Sequence, residues 1–414
     1  MWLQNWTRSY HGPLPPAAPP SGHDERVQQT ADAPTTRVVV VGAGQAGLSV
    51  AYHLRRLGLR PHVDWVVLDR GPAAGGAWQH RWASLRLGAA HRVADLPGMA
   101  ELGLSFDTAD RSAPARDVVR DYYARYEEHF ELPVLRPAAV RDVIDLGGRL
   151  RVRYAHRASD ATTDPATGGS SGATTDTADA TIDTEALVTA TGTWGTPFVP
   201  WYPGRDGFRG RQVHTSSWVD SSEFEGLDVV VVGGGTSAIG FVLDLEGVAS
   251  STTWVSRRPV EWRDGTEQLG VGAAVAAVAE QDAAARAGLA LPSIVSGTGV
   301  PLTRRFRAGI ERGTLVERPV FTAIEPDGVR LADGGFRHAD VIVWATGFRP
   351  ELRHLAPLGL RSGGGGVAVA DGVSTRDPRV FFAGYGPQAS TIGANRAGRA
   401  IARQVVSLLE SRRD

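Results

Sequence analysis

Two glycine-rich turns, each following four consecutive valines, hold the residues best placed to do chemistry: Gly42-Ala-Gly44-Gln45-Ala46-Gly47 and Gly233-Gly-Gly235-Thr236-Ser237-Ala238. In such a turn the first glycine makes the corner, the second lets backbone approach a pyrophosphate, and a small third residue lets the helix pack on the sheet. The phosphates then sit on the helix N-terminus. One turn of this kind is a weak signal, because any tight strand-to-helix corner can use it. Two, each behind an apolar strand and about 190 residues apart, point to two dinucleotides.

The residues downstream of each turn suggest which nucleotide it takes. After the first, Leu48, Ala51, Leu54 and Leu57 recur at helical spacing up to Gly58, and the next strand, Trp65 to Leu68, ends in Asp69 and Arg70. A carboxylate at that point accepts hydrogen bonds from a ribose diol. After the second, the strand Thr252 to Val255 runs into Ser256-Arg257-Arg258 with no acid. A serine and two guanidiniums suit a ribose carrying an extra phosphate, so the order reads FAD first and NADPH second. The competing account of Arg257 and Arg258 is an ordinary solvated pair on a loop.

Composition sets the bounds. A chain of 414 residues that is 42% apolar can bury substantial cores, and a net charge of −1 advertises neither nucleic acid nor an acidic membrane as partner. There is no cysteine, which excludes a redox-active dithiol, a thiol nucleophile and an iron–sulfur cluster. No metal site is expected. Apolar runs are broken by Gly, Arg or Asp before they reach membrane-spanning length, and the N-terminus lacks a long apolar stretch, so a soluble cytoplasmic protein is expected. Homodimers are the default expectation for its assembly. Residues 1–35, dense in proline, read as a disordered leader, with Trp2 and Trp6 as docking elements or a frayed end. The tract Ser159 to Thr181 reads as an enlarged hairpin loop, and Gly363 to Gly366 as an exposed turn.

Two further apolar strands end in Ala-Thr-Gly, at Val188-Thr-Ala-Thr191-Gly192-Thr-Trp194 and Val341-Ile-Val-Trp-Ala-Thr-Gly347-Phe-Arg349. They bracket the second nucleotide turn and mark where the chain crosses between domains. The expected fold is α/β, with two Rossmann-like dinucleotide-binding domains, the NADPH domain inserted into the FAD domain. The boundaries place FAD on 36–198 and 340–414 and NADPH on 199–339. Within the latter, 263–312 is a cap over the substrate channel or only an amphipathic surface helix.

This layout resembles the two-dinucleotide-binding-domain flavoproteins, and a motif narrows the resemblance. Phe208-Arg-Gly210-Arg-Gln-Val-His214-Thr-Ser-Ser-Trp218 matches Phe-x-Gly-x-x-x-His-x-x-x-aromatic, the identifying pattern of the class B flavoprotein monooxygenases, which include the flavin-containing, Baeyer–Villiger, YUCCA-like and CzcO-like enzymes. The likeness spans about residues 36 to 410. It implies FAD, NADPH, dioxygen and a small-molecule substrate, with one oxygen atom passed to an amine or sulfide through a hydroperoxyflavin. It also implies that Gly76 and Trp78, in Gly75-Gly-Ala-Trp78, meet FAD. Gly384, Thr391 and Ile392 lie where the family returns to the flavin, with a helix start at Thr391 to Gly393 aiming amides at the ring. Thr191, Gly192 and Gly347 complete the cofactor-binding set. His214 reads as an orienting hinge residue rather than a proton carrier.

The match is incomplete at two places. Gln79 to Leu87 lacks the Tyr-Pro-Gly element of the Baeyer–Villiger group, which demotes ketone oxidation. The Ser84-Leu85 pair survives, but Gly88 stands at the flavin-containing monooxygenases' asparagine slot. His91, nearby, is a proton donor or a packing residue. The rival readings are a flavoprotein reductase without a long-lived oxygen adduct, an N-hydroxylase of amino-acid side chains, and a non-catalytic nucleotide sensor.

Overall fold

The computed structural model describes residues 33–90, 93–157, 177–263, 271–291 and 299–413. In chain order the elements that position the site are β1 (Thr35–Val41), α1 (Gln45–Arg56), β2 (Trp65–Leu68), α2 (Ala115–His129), β3 (Val134–Leu135), β4 (Ala138–Asp145), β5 (Leu150–Arg157), β6 (Thr177–Thr189), β7 (Arg211–His214), β8 (Asp228–Val232), α3 (Thr236–Asp244), β9 (Ser251–Ser256), α4 (Val271–Arg286), α5 (Arg304–Glu311), β10 (Glu317–Pro319), β11 (Val341–Trp344), β12 (Val380–Phe382) and α6 (Thr391–Ser411).

The valine runs form the centres of two parallel sheets. In β1, Val38 and Val40 enter one core while Val39 and Val41 enter the core on the opposite face. A strand apolar on both faces belongs inside a sheet covered on both sides. The first sheet runs β3-β2-β1-β6-β12 in parallel, and β4 and β5 join it as an antiparallel meander onto β6. β8 repeats the device, with Val229 and Val231 on one face and Val230 and Val232 on the other. The second sheet runs β10-β9-β8-β11-β7, all parallel. The long helix α6 lies against α1, and the approach is close: a Cβ on Gly398 would fall 2.2 Å from Ser49 Oγ.

Several expectations are corrected. The boundary at residue 340 puts β11 with the first domain, but the strand sits between β8 and β7 in the second sheet. Val341, Ile342 and Val343 are fully buried, so an apolar strand took a central slot, and the chain returns to the first sheet only after Trp344. The tract ending at 181 is strand from Thr177 on, paired antiparallel with β5. Residues 1–32 of the expected leader and 158–176 of the tract lie outside the described residues.

The region 263–312 is not one cap. Described parts of it go to different sheets: α4 buries Gln281, Ala284 and Ala285 toward the first, where a Cβ on Gly386 would fall 3.0 Å from Ala285 Cβ, while α5 buries Phe306 in the second. The tetraglycine is only partly an exposed turn. Gly366 is buried and its amide donates to the Gly288 carbonyl, and a Cβ there would fall 2.0 Å from the Leu289 carbonyl oxygen. Backbone docks on backbone at that point, which side chains would prevent. Leu57, expected on the buried face of α1, is exposed just past the helix end, and Gly58 comes next at φ +90°.

Candidate functional site

The two nucleotide turns are built alike. Gly42, at φ +102°, donates its amide to Leu68, and a Cβ on it would fall 2.5 Å from the Ala190 carbonyl oxygen. Gly233, at φ +146°, donates to Val255, and a Cβ on it would fall 2.3 Å from the Ala345 carbonyl oxygen. In each half, therefore, the alanine of Ala-Thr-Gly closes the floor of a glycine turn. Gly44 and Gly235 are the N-caps of α1 and α3, and neither helix start is capped by a side chain. First-turn amides have no intrahelical acceptor, so both starts are open to an anion. Around α1 the trough is lined by missing side chains. A Cβ on Gly76 would fall 2.7 Å from Gly44 Cα, one on Gly47 would overlap the Gly42 carbonyl, and one on Gly384 would lie 3.1 Å from Ala46 Cβ. That cradle fits a pyrophosphate. In the second turn Thr236 is exposed, Ser237 half-buried and Ala238 fully buried, the last packing α3 onto its sheet.

Gln45, expected at the cofactor, is committed to protein. Its Nε2 donates to Asn395 Oδ1 (2.9 Å) and the Ala94 carbonyl (3.0 Å), and Tyr123 donates to its Oε1. It bolts α1 to α6, a role only the tertiary fold could reveal.

Asp69 is buried at the end of β2. It lines a cavity of about 320 Å³ with Gly42, Arg70, Thr191, Glu351 and His354. Its Oδ2 accepts Arg136 Nε at 2.8 Å, and Arg136 also grips Glu127 with both terminal nitrogens (2.6 and 2.8 Å). Burial works against the arginine's charge, but the Glu127 and then the Asp69 interactions outweigh it and raise its pKa. Arg70 is exposed, 3.7 Å from Glu351, and its guanidinium covers Gly195, where a Cβ would fall 1.9 Å away. Thr191 Oγ1 donates to the Glu351 carbonyl (2.6 Å), and the Gly192 carbonyl accepts the Glu351 amide (2.9 Å). Glu351 and His354 leave no mark in the sequence, because nothing near them forms a motif.

His354 is buried against Thr189 Oγ1 (3.2 Å), and desolvation, with Glu351 pulling weakly the other way, lowers its pKa to about 4. The unfolded chain therefore binds a proton that the folded chain refuses between pH 6.5 and about 4, so this histidine's contribution is lost as pH falls through that window. Stability should drop by about 2 kcal/mol from pH 7 to pH 5 on its account. Urea unfolding of wild type and His354→Asn at both values checks this. The variant should lose less on acidification, and equal losses would assign the effect elsewhere.

In the second site Ser256 does not face a phosphate as expected. It is buried, with its Oγ against the Glu317 carboxylate and 2.7 Å from the Arg258 carbonyl, while Glu317 also accepts the Val260 amide at 3.0 Å. It shapes the loop instead. Arg257 and Arg258 are exposed and enter no ion pair among the described residues, and Arg257 lies close enough to act on Tyr202.

His214 ends β7 with both ring nitrogens engaged. Nδ1 accepts the Ser216 amide (3.1 Å), which leaves the proton on Nε2 to donate to the Gly347 carbonyl (3.0 Å). Desolvation lowers its pKa against the pull of the Gly347 bond, so the ring is neutral near pH 7. Gly347 belongs to a ribbon made by the two linkers. Phe198 N donates to Gly347 O (3.0 Å), Arg349 N to Thr196 O (2.8 Å), and Pro197 bridges Phe348 in antiparallel fashion.

Aromatic rings gather where turns and linkers meet. Trp194 stacks on Phe348 (4.8 Å between centroids) and more distantly on His80 (6.2 Å), and Phe348 takes the His214 edge (4.9 Å). Trp78 is buried beside this group, two residues beyond Gly76. Trp218, the motif's aromatic, lies instead in the second core, stacked between Phe241 (4.0 Å) and Phe224 (4.6 Å). Gly88 is exposed, and a Cβ there would lie 3.1 Å from the Arg111 carbonyl, so Arg111 crowds the asparagine slot. His91 lies outside the described residues. At the start of α6 the Gly393 amide is taken by Ser390 Oγ (3.0 Å).

The family model for pyridine nucleotide-disulphide oxidoreductases matches residues 36–282. A solved double mutant of a flavin monooxygenase from Stenotrophomonas maltophilia superposes with a TM-score of 0.71 at 31% identity, covering 90% of this chain and 99% of that one. The chain belongs to the class B flavoprotein monooxygenases. Other relatives are an uncharacterised oxidoreductase CzcO of Bacillus velezensis (23% identical, 83% of this chain, 90% of the relative) and the indole-3-pyruvate monooxygenase YUCCA4 of rice (28%, 76% and 74%). The enzyme is an FAD-containing oxidoreductase that uses NADPH. With no cysteine, it cannot run the dithiol chemistry in the wider family's name. Among the described residues no helix is long and apolar enough to cross a membrane.

Proposed function

We propose that this monooxygenase uses NADPH to drive insertion of one oxygen atom of O2 into a nitrogen or sulfur of a small organic substrate. The observation that carries the reading is the short route between the two nucleotide turns: Gly44 packs on Gly76, the chain runs from Gly76 to Trp78 and Arg81, the Arg81 guanidinium lies over both Trp78 and Trp194, Trp194 stacks on Phe348, and Phe348 lies three residues from Ala345 beneath Gly233. A reducing nucleotide and an acceptor ring meet along such a path. FAD, once reduced, supplies the activation of dioxygen.

The chain's own groups bind, order and keep dry. The free amides of α1 and α3 take the two pyrophosphates, Asp69 takes the FAD ribose diol, and Arg257 with Arg258 takes the 2′-phosphate of NADPH. Trp78 and Trp194 wall the junction against water. His214 holds the linker and has no nitrogen left for a reacting proton. Amine and sulfide are both soft nucleophiles needing no protein nucleophile, consistent with the lack of thiols.

One observation favours a second reading. Arg111 crowds the space beside Gly88, where a Cβ would lie 3.1 Å from its carbonyl oxygen, and Gly88 offers no side chain to help retain activated oxygen, so a reductase releasing peroxide is the rival. Turnover under oxygen-18 gas with thioanisole and with N,N-dimethylaniline separates the two. Labelled sulfoxide or N-oxide, with peroxide yield per NADPH falling as substrate is added, is expected. Stoichiometric peroxide with no labelled product would leave the reductase.

A further inference from the structure

Arg81 is a cation without a counter-charge among the described residues. It lies just past the turn Gly75 to Trp78, and its Cζ is 4.4 Å from the Trp194 ring centroid and 5.6 Å from that of Trp78. Its Nε is sealed from solvent and meets no acceptor, and no ion pair or hydrogen bond engages the guanidinium among the described residues. Desolvation lowers its pKa to about 10, so the group is still charged near neutrality. It is also fixed in place. The next residue, Trp82, is buried in the second core with its ring against Phe241 (4.9 Å), pinning the backbone between the two sheets.

A half-buried guanidinium whose Nε is sealed from solvent without an acceptor is costly unless an anion arrives. Neither cofactor needs this one. Each pyrophosphate has its own uncapped helix start, and the 2′-phosphate has two exposed arginines. The faces around Arg81 are aromatic, which suits the apolar body of a ligand rather than a sugar phosphate.

We propose that Arg81 receives a carboxylate of the substrate, so that the enzyme selects amphipathic acids whose aromatic or apolar body lies against Trp78 and Trp194. The inference rests on the oxygenation reading only in calling the occupant a substrate.

The test is binding, not turnover. 4-(Methylthio)benzoate and thioanisole differ by one carboxylate, and calorimetric titration of each into oxidised holoenzyme saturated with NADP⁺ reads its worth. Wild type should bind the acid about tenfold tighter or better. Arg81→Gln should erase that preference while FAD content and NADP⁺ affinity stay unchanged, and Arg81→Lys, which keeps the charge, should retain part of it. Equal binding of the two probes by wild type overturns the proposal. So does a preference that survives in Arg81→Gln, or a tenfold loss of NADP⁺ affinity with the acid preference intact, which would give the arginine to a nucleotide phosphate. Should Arg81→Gln fail to hold FAD, Arg81→Lys decides: loss of the acid preference in an FAD-loaded lysine variant overturns the assignment. Acid binding that depends on Arg81, without labelled product in the oxygen-18 experiment, would sink oxygenation and leave the carboxylate site standing.

Discussion

Gly233→Ala is expected to leave a protein that still carries FAD but can no longer be reduced by NADPH. Alanine at φ +146° is strained, by roughly 1–2 kcal/mol if it behaves like other left-handed residues, and its Cβ would lie 2.3 Å from the Ala345 carbonyl oxygen. That oxygen cannot step aside cheaply, because the Ala345 amide is held by the Val232 carbonyl at 2.8 Å. The turn must shift instead, and with it the start of α3. Loss of aligned amides should weaken NADP⁺ binding about 100-fold or more. The first turn closes on Ala190, in another sheet, and is untouched. Flavin absorbance retained after gel filtration, together with NADP⁺ titration, reads both halves. Simultaneous loss of FAD would show that the turns are not independent and refute the prediction.

Arg136→Met should cost about 3–5 kcal/mol of stability. The methionine fills part of the space, but Asp69 and Glu127 are then left as buried carboxylates without their shared cation. Burial already raises the Glu127 pKa against the opposing pull of Arg136, and in the variant that pull is gone, so between the unfolded and folded values the folded chain holds a proton the unfolded chain has released. Its stability then falls as pH rises through that range, and the deficit against wild type widens from about pH 5 to pH 8. Urea unfolding at the two pH values measures this. A deficit independent of pH would mean that only packing was lost.

The pieces legible in the sequence are those with a local cause. Val38 to Val41 and Val229 to Val232 declare strands buried on both faces, and the glycines after them declare corners, because periodicity and φ preference act within a few residues. Partner choice over long separations is not legible. Ser256 looks free for a phosphate until Glu317, 61 residues on, claims its hydroxyl, and Gln45 looks like a cofactor contact until Asn395 and Tyr123 claim its amide. β11 illustrates the same limit: its apolar run says that both faces are covered, but not by which sheet. Arg81 leaves no signal at all, since an arginine between tryptophans reads as surface until its neighbours are known.

The cross-braced linkers have a mechanical consequence. Their two strands are tied by the Phe198–Gly347, Arg349–Thr196 and Glu351–Gly192 backbone bonds, and by Thr346 and Thr191 hydroxyls. One end is built into the floor of the Gly42 turn by Ala190 and the other into the floor of the Gly233 turn by Ala345. Such a ribbon behaves as a torsion bar. Twisting about its long axis leaves the rungs intact, whereas splaying its strands breaks them. Twist along that axis is delivered at the floors of the two glycine turns, the points proposed to hold the phosphates.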